Sequence, residues 1–341
     1  MIMQENKLFQ QIPPHPAAGK DAEKEAAGGF CAMKKVFIDG SAGTTGLRIA
    51  ERLAGRDDLS LITLQEEQRK DSSSRARALN DADIAVLCLP DAAAREAVSW
   101  IENPDTVVLD TSTAHRTAPG WVYGFPELSA THAHAIRTAK RIAVPGCHAS
   151  GFIALTAPLT AAGILPPKTL LSCFSLTGYS GGGKKMIAEY ETQPLPEALH
   201  APQQYALGQS HKHLPEMAAQ SGLPAPAFCP VVGNFYSGMQ VTVPLFAAQC
   251  APGTTPETIA GIYRKVYTGP VVSFAETPGE NGFLSAVSLA GKDSMRVSVT
   301  GNEERMLLLA VYDNLGKGAS GAAVECLNMV LGTEPTKGLC L

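Results

Sequence analysis

The sequence predicts an α/β fold: a doubly wound parallel sheet, followed by an α+β domain whose sheet is mostly antiparallel. Three observations carry this. Short, near-continuous apolar runs alternate with helical segments up to Pro145, the pattern of strands covered on both faces. A glycine-rich turn joins the first strand to the first helix, as in a nucleotide-binding βα unit. Beyond residue 226 strands follow one another with few helices between them, which suits an antiparallel sheet. At 341 residues and 45% hydrophobic content, the chain is long enough for two such domains.

Residues 1–32 mix Pro13-Pro14, Ala-Gly pairs and charge without an apolar core of the signal-peptide kind, and are expected to be a disordered extension. Met33 precedes the first good strand and reads as the functional start. The β run Lys35–Asp39 leads into Gly40-Ser41-Ala42-Gly43-Thr44-Thr45-Gly46 and a helix from Leu47 to Leu53. The spacing is GxxGxxG rather than GxGxxG. Its physical purpose is the same, because a pyrophosphate needs room against backbone N–H groups at a helix start. This makes the first domain Rossmann-type.

The strand Leu59–Leu64 ends in Gln65-Glu66-Glu67-Gln68-Arg69-Lys70, where such a fold meets the adenosine ribose. An acid suits a free 2′-hydroxyl and an arginine a 2′-phosphate; the reading favours NADP, through Arg69 or Lys70. Strands at Ile84–Leu89 and Thr106–Asp110 follow, separated by a helix from Ala92 to Trp100. Arg116 then lies just past a strand's carboxyl end, where open α/β sheets bind ligands, and a guanidinium there can hold a carboxylate or phosphate.

The most readable chemistry is Val144-Pro145-Gly146-Cys147-His148-Ala149-Ser150, which runs from an extended stretch through a Pro-Gly turn into a long helix. Cys147 at that start is expected to be stabilised as a thiolate by unpaired N–H groups and the helix dipole, or else to be an ordinary buried thiol. After a strand at Leu170–Leu176, Thr177-Gly178-Tyr179-Ser180-Gly181-Gly182-Gly183-Lys184-Lys185 suits a phosphate or nicotinamide edge, through inward backbone N–H groups and the lysines, or else is a flexible surface loop. Ser180 and Gly181 in it are candidates for the nicotinamide side. Tyr205 precedes Ser210-His211-Lys212-His213-Leu214-Pro215-Glu216, where two histidines stand near a carboxylate able to orient an imidazole. The HxH pair lacks a third ligand at metal spacing, so no metal is expected.

Strands are then expected at Ala227–Val232, Met239–Phe246, Phe283–Leu289, Met295–Thr300 and Met306–Val311, with a helix near Thr255–Tyr267. An Ala- and Gly-rich helix beyond Asp313 returns to the first domain. Asn314 before it either contacts a nicotinamide carboxamide or caps the helix. The domain reading is therefore an extension at 1–32, an NADP-binding domain at 33–147 completed by the helix at 314–332, and a catalytic and oligomerisation domain at 148–313.

A net charge of −4 and the absence of basic runs argue against nucleic acid, and no apolar run reaches the roughly 20 residues of a membrane span. Eight scattered cysteines without a CxxC pair read as reduced thiols of a cytoplasmic protein.

Three stretches in order, Val144-Pro145-Gly146-Cys147-His148-Ala149-Ser150-Gly151, His211-Lys212-His213-Leu214-Pro215-Glu216 and Asp313-Asn314-Leu315-Gly316-Lys317-Gly318-Ala319, resemble N-acetyl-gamma-glutamyl-phosphate reductases of the shorter type 2 branch. The resemblance runs from Met33 to about Gly332. It implies the arginine-biosynthesis step in which NADPH reduces N-acetyl-L-glutamyl 5-phosphate to the 5-semialdehyde and phosphate, with Cys147 as nucleophile forming a thioester. It also implies His211 or His213 as acid/base, and a homotetramer or dimer. His213, three residues before Glu216, is favoured for the proton, with His211 then a ligand of substrate or phosphate; Arg116 and Tyr205 are the candidates for holding the substrate. The longer branch has an aromatic residue and threonine where this chain has His148 and Ser150, so His148 is a candidate for tuning Cys147. The alternatives are an aspartate-semialdehyde dehydrogenase-like acyl phosphate reductase and a catalytically silent NADP-binding sensor.

Overall fold

In the computed structural model, which describes residues 33–341, the first apolar run forms β1 (Lys34–Asp39), its last four residues buried. The expected extension at 1–32 lies outside the described residues. α1 (Thr44–Leu53) starts at Gly43 and turns Ile49 and Leu53 inward. There follow β2 (Leu59–Ile62), α2 (Ser72–Asp81), β3 (Ile84–Leu87), α3 (Asp91–Ser99), β4 (Val107–Asp110), β5 (Val122–Tyr123), α4 (Ala130–Thr138) and β6 (Arg141–Ala143). The six strands form one parallel sheet in the order β2-β1-β3-β4-β6-β5. The chain leaves β1 in one direction to β2 and in the other to β3, and ligands of open α/β sheets bind at such a switch point.

The second half comprises α5 (Cys147–Ala161), β7 (Ser172–Gly178), α6 (Gly183–Glu191), β8 (Gln203–Gln204), α7 (Leu214–Ser221), β9 (Ala227–Gly233), β10 (Met239–Phe246), α8 (Pro256–Val266), β11 (Val272–Phe274), β12 (Met295–Gly301), β13 (Arg305–Tyr312) and α9 (Gly321–Leu331). Its seven strands are ordered β11-β12-β13-β10-β7-β9-β8. Pairing is antiparallel except at β7/β9 and β11/β12. α5 is apolar all round because it is buried all round: Phe152, Ile153, Leu155 and Leu159 pack with Val241, Val243 and Leu308 of this sheet. α9 packs instead on the parallel sheet, with Ala322, Val324, Leu327 and Met329 in one core with Val36, Ile84 and Leu109.

Three local expectations are corrected. Residues 283–289 are not a strand: Phe283 makes an isolated bridge to Glu280, and a turn begins at Ala286. The glycine-rich stretch at 177–185 is not a loop: it closes β7, makes a 3-10 turn over Tyr179–Gly182 and opens α6. The returning helix begins with a π-helical turn, Gly316–Ser320, in which buried Lys317 reaches both carboxylate oxygens of Glu127 at 2.7 and 2.8 Å and Glu325 at 2.5 Å. Such π turns recur at functional sites.

Candidate active site

Gly146 is the N-cap of α5 and Cys147 its first residue, so the thiol stands at a helix start as the sequence predicts. The turn must be glycine. A Cβ on residue 146 would lie 2.5 Å from Glu216 Oε1 and 2.6 Å from His213 Nε2, and would also meet Arg116 Nη1. These three side chains come from a loop after β4, from α7 and from the residue that caps α7, and they converge on one backbone position.

Arg116 donates from Nε to Val144 O at 2.9 Å, from Nη2 to Thr111 O at 2.9 Å and from Nη1 to Glu216 Oε1 at 2.6 Å. A guanidinium has five donors, so Arg116 keeps capacity for a ligand in the cleft that it lines. Glu216 is the correction. Its Oε2 accepts from Tyr123 Oη at 2.8 Å and from Gly146 N at 3.1 Å, so the carboxylate fixes Arg116 and the cysteine turn instead of orienting an imidazole.

Two effects oppose each other at this helix start. Burial pushes Cys147 above the usual thiol range, against the opposing pull of Arg116 and the His148 backbone N–H. His148 cannot take its proton, because both ring nitrogens are engaged: Nδ1 with Ser175 Oγ and Nε2 with Tyr205 Oη, each at 2.6 Å. Burial lowers His148 to about 3, so the ring is neutral.

His211 and His213 are T-shaped neighbours, centroids 4.7 Å apart, and both line the cleft with Cys147. Burial, then Lys212 and Arg116, lower His211 to about 4. Its Nδ1 accepts from His213 N at 3.1 Å, which leaves the single proton of the neutral ring on Nε2. His213 is more deeply buried and held well below the usual histidine range, first by burial and then by Arg116; its Nδ1 has no hydrogen-bond partner among the described residues. Tyr312, which the sequence reading passed over, donates from Oη to Cys147 O at 2.5 Å and accepts from Gly151 N at 3.0 Å, pinning the first turn of α5.

The cleft beside Cys147 has a volume of about 400 Å³. Ser180, Gly181, Asn314 and Tyr205 line it with the residues above. Asn314 does not cap a helix, since Leu315 precedes the π turn; its amide accepts from Gly238 N at 2.9 Å and donates to Ser180 Oγ at 3.0 Å. Through Thr44, Thr45, Thr111, Arg116 and Lys212 the cleft continues into a hollow lined by Gly43, Gly46 and Lys184. Leu89 in turn joins this hollow to a pocket of about 420 Å³ lined by Gly40, Ser41, Ala42, Arg69, Lys70 and Arg75.

The residues fit a dinucleotide along this groove. Gly40 has φ +87°, and a Cβ on Gly46 would lie 2.5 Å from Gly40 O, so the turn folds tightly only with glycine at both places. Three cations, Arg69, Lys70 and Arg75, surround the far pocket. Arg75 escaped the sequence reading because α2, which carries it, buries only Ala78 and Leu79 and shows little periodicity. It pairs with Asp39 at 2.9 Å across 36 positions of sequence.

Residues 32–136 match the family model described as semialdehyde dehydrogenase, NAD binding domain, and residues 147–314 that of the semialdehyde dehydrogenase, dimerisation domain. The N-acetyl-gamma-glutamyl-phosphate reductase of Burkholderia lata is 46% identical over 304 residues, covering 87% of this chain and 96% of that protein. The chain belongs to the N-acetyl-gamma-glutamyl-phosphate reductase family. The family's protein from Sinorhizobium medicae is 45% identical over 305 residues, covering 87% and 98% of the two chains. Among solved structures, aspartate semialdehyde dehydrogenase II of Vibrio cholerae shares the fold with this reductase family member at a TM-score of 0.67 and 18% identity, over 88% of this chain and 98% of that one. The Candida albicans aspartate semialdehyde dehydrogenase with NADP does so at 0.62 and 13%, over 89% and 99%.

Proposed function

We propose that the protein is a cytoplasmic, homo-oligomeric reductase that converts N-acetyl-L-glutamyl 5-phosphate, with NADPH, to N-acetyl-L-glutamate 5-semialdehyde and phosphate in arginine biosynthesis. The observation that carries this reading is the joining of one thiol, two neutral imidazoles and a buried guanidinium to a groove that ends among three cations. The relatives at 45% identity and above supply the substrate.

Cys147 attacks the acyl carbon and loses its proton to His213, whose Nε2 lies beside Gly146. The carbonyl re-forms as the C–O bond to phosphate breaks; phosphate leaves with the electron pair and Cys147 holds a thioester. Arg116, with two donors to spare, holds the anionic end of the substrate, and Lys212 adds positive charge beside it. When bound, the dinucleotide supplies hydride, with Gly40 to Gly46 at its pyrophosphate, Ser180, Gly181 and Asn314 at the nicotinamide side, and Arg69, Lys70 and Arg75 at a 2′-phosphate. His211, with its proton on Nε2, gives that proton to the thiohemiacetal oxygen and takes it back as the aldehyde forms and the C–S bond breaks.

The test follows NADPH absorbance in the reverse direction with NADP, phosphate and N-acetylglutamate semialdehyde; aspartate semialdehyde and NAD serve as controls. Phosphate-dependent reduction of NADP with the acetylated substrate is expected. Activity with aspartate semialdehyde alone moves the protein to the related acyl phosphate reductases, and silence with both favours the sensor. Cys147→Ser is expected to abolish turnover and keep NADP binding.

A further inference from the structure

Ser175 is 1% exposed, and its hydroxyl has a single partner among the described residues, Nδ1 of His148 at 2.6 Å. A buried hydroxyl proton needs an acceptor, so Ser175 donates and Nδ1 carries no proton. The ring is neutral, because burial lowers it to about 3, and its one proton therefore sits on Nε2. Nε2 then donates to Tyr205 Oη at 2.6 Å. The oxygen of Tyr205 is used as an acceptor, and its own proton has to point elsewhere. Tyr205 makes no other side-chain hydrogen bond among the described residues, and it lines the cleft with Cys147 and His211.

We propose that Ser175 and His148 are positioning residues that aim the Tyr205 hydroxyl proton into the cleft, where it donates to the oxygen on the carbon attacked by Cys147. The inference rests on the acyl phosphate reduction above and assigns Tyr205 a role beyond substrate holding. The chain Ser175 Oγ–H to Nδ1, Nε2–H to Tyr205 Oη, Tyr205 O–H to substrate runs in one direction only. Reversing any link would leave a buried hydroxyl without an acceptor. Tyr205 then joins His211, whose proton is also fixed on Nε2, as a second donor for the developing negative charge, and neither group transfers a proton at that moment. The relay also explains why a histidine follows the nucleophile here: an aromatic residue at 148 could not accept from Ser175 and donate to Tyr205.

The experiment uses full-length protein labelled with 15N-histidine, with Ser175→Ala, Tyr205→Phe and the double variant. Nitrogen–proton correlation spectra are expected to show His148 protonated on Nε2 in the parent. In Ser175→Ala nothing donates to Nδ1 any longer, so the Nδ1-protonated tautomer, in which the ring accepts from Tyr205, should gain population beside the Nε2 form. His148→Gln assigns the signal. Tyr205→Phe should lower kcat about 100-fold, the scale of losing one oxyanion donor, with KM little changed. Ser175→Ala should lower kcat on the order of 10-fold, as loss of a supporting partner does. It should cost nothing further in the Tyr205→Phe background, and NADP binding should persist in every variant, showing that each has folded. A parent His148 protonated on Nδ1, or losses of the two single variants that multiply in the double, overturns the relay. A parent protein silent toward N-acetylglutamate semialdehyde while His148 shows the Nε2 proton overturns the functional reading instead.

Discussion

Glu216 Oε1 lies 2.6 Å from Arg116 Nη1, and Oε2 of the same carboxylate holds the backbone N–H of Gly146, the residue before Cys147. One buried ion pair thereby ties a loop of the parallel sheet to the turn that presents Cys147. Removing one member of such a pair leaves an uncompensated charge, which costs about 3–5 kcal/mol. Glu216→Ala should lose stability of that order in urea unfolding and most of its kcat, because Arg116 and the turn lose their shared anchor. Glu216→Gln keeps an acceptor for Tyr123 or Gly146 and should lose less of both. Parent-like unfolding of Glu216→Ala would show that the pair is not a keystone.

Three neighbouring imidazoles, His148, His211 and His213, are held neutral chiefly by burial, at about 3, about 4 and well below the usual range. In the unfolded chain each takes up a proton near pH 6.5. Below that pH the unfolded state therefore binds more protons, and stability falls with falling pH until the folded pKa values are reached. For His148, held at about 3, the slope is roughly 1 kcal/mol per pH unit between pH 6 and 4, and His213 adds a loss of the same sign. Thermal melts across this range should show the loss, and His148→Gln should remove its share of the slope. A slope unchanged in that variant would mean that His148 is not the neutral ring described.

The same histidines show what a sequence can and cannot disclose. Spacing located His211, His213 and Cys147, since a histidine pair beside an acid, and a cysteine where a Pro-Gly turn opens an apolar helix, are local patterns. It could not disclose that Glu216, three positions from His213, turns to Arg116, because the partner is 100 positions away. Tyr312 and Ser175 escaped notice for the same reason: each sits in an ordinary strand and gains its role only when β13 and β7 are laid against α5. The parallel sheet was legible because its strands are covered on both faces and read as apolar runs. The expected strand at 283–289 failed because Phe283 and Val287 alternate as a strand would but stay exposed, at 81% and 45%, without a partner in the sheet.

In the far pocket of the groove, Arg69 lines the wall with Lys70 and Arg75, but among the described residues only Arg75 is tied to a carboxylate, Asp39. Arg69 donates from Nε to Leu64 O at 3.3 Å and keeps its terminal nitrogens for a ligand. A hydrogen bond to a charged group contributes about 1.5–3 kcal/mol, so Arg69→Ala should weaken NADP binding roughly 10- to 100-fold and leave NAD binding nearly as it was. Titration by cofactor fluorescence gives both constants. An equal loss for NADP and NAD would remove the 2′-phosphate from this pocket.

One face of the second sheet carries Phe174, Phe246 and Leu307, which are 50%, 58% and 41% exposed. Register puts them together: Phe174 lies opposite Thr242, Leu307 opposite Pro244, and Phe246 two residues further along β10. An apolar patch of this kind marks a contact surface, and the match to a dimerisation domain over residues 147–314 suits a second copy. Aspartate at Phe174 or Leu307 would bury a charge without a partner. At a cost of about 3 kcal/mol this raises the dissociation constant on the order of 100-fold. Sedimentation at micromolar concentration should show the parent as an oligomer and Leu307→Asp shifted toward monomer. A parent that sediments as a monomer, or a variant that assembles as the parent does, would place the contact on another surface.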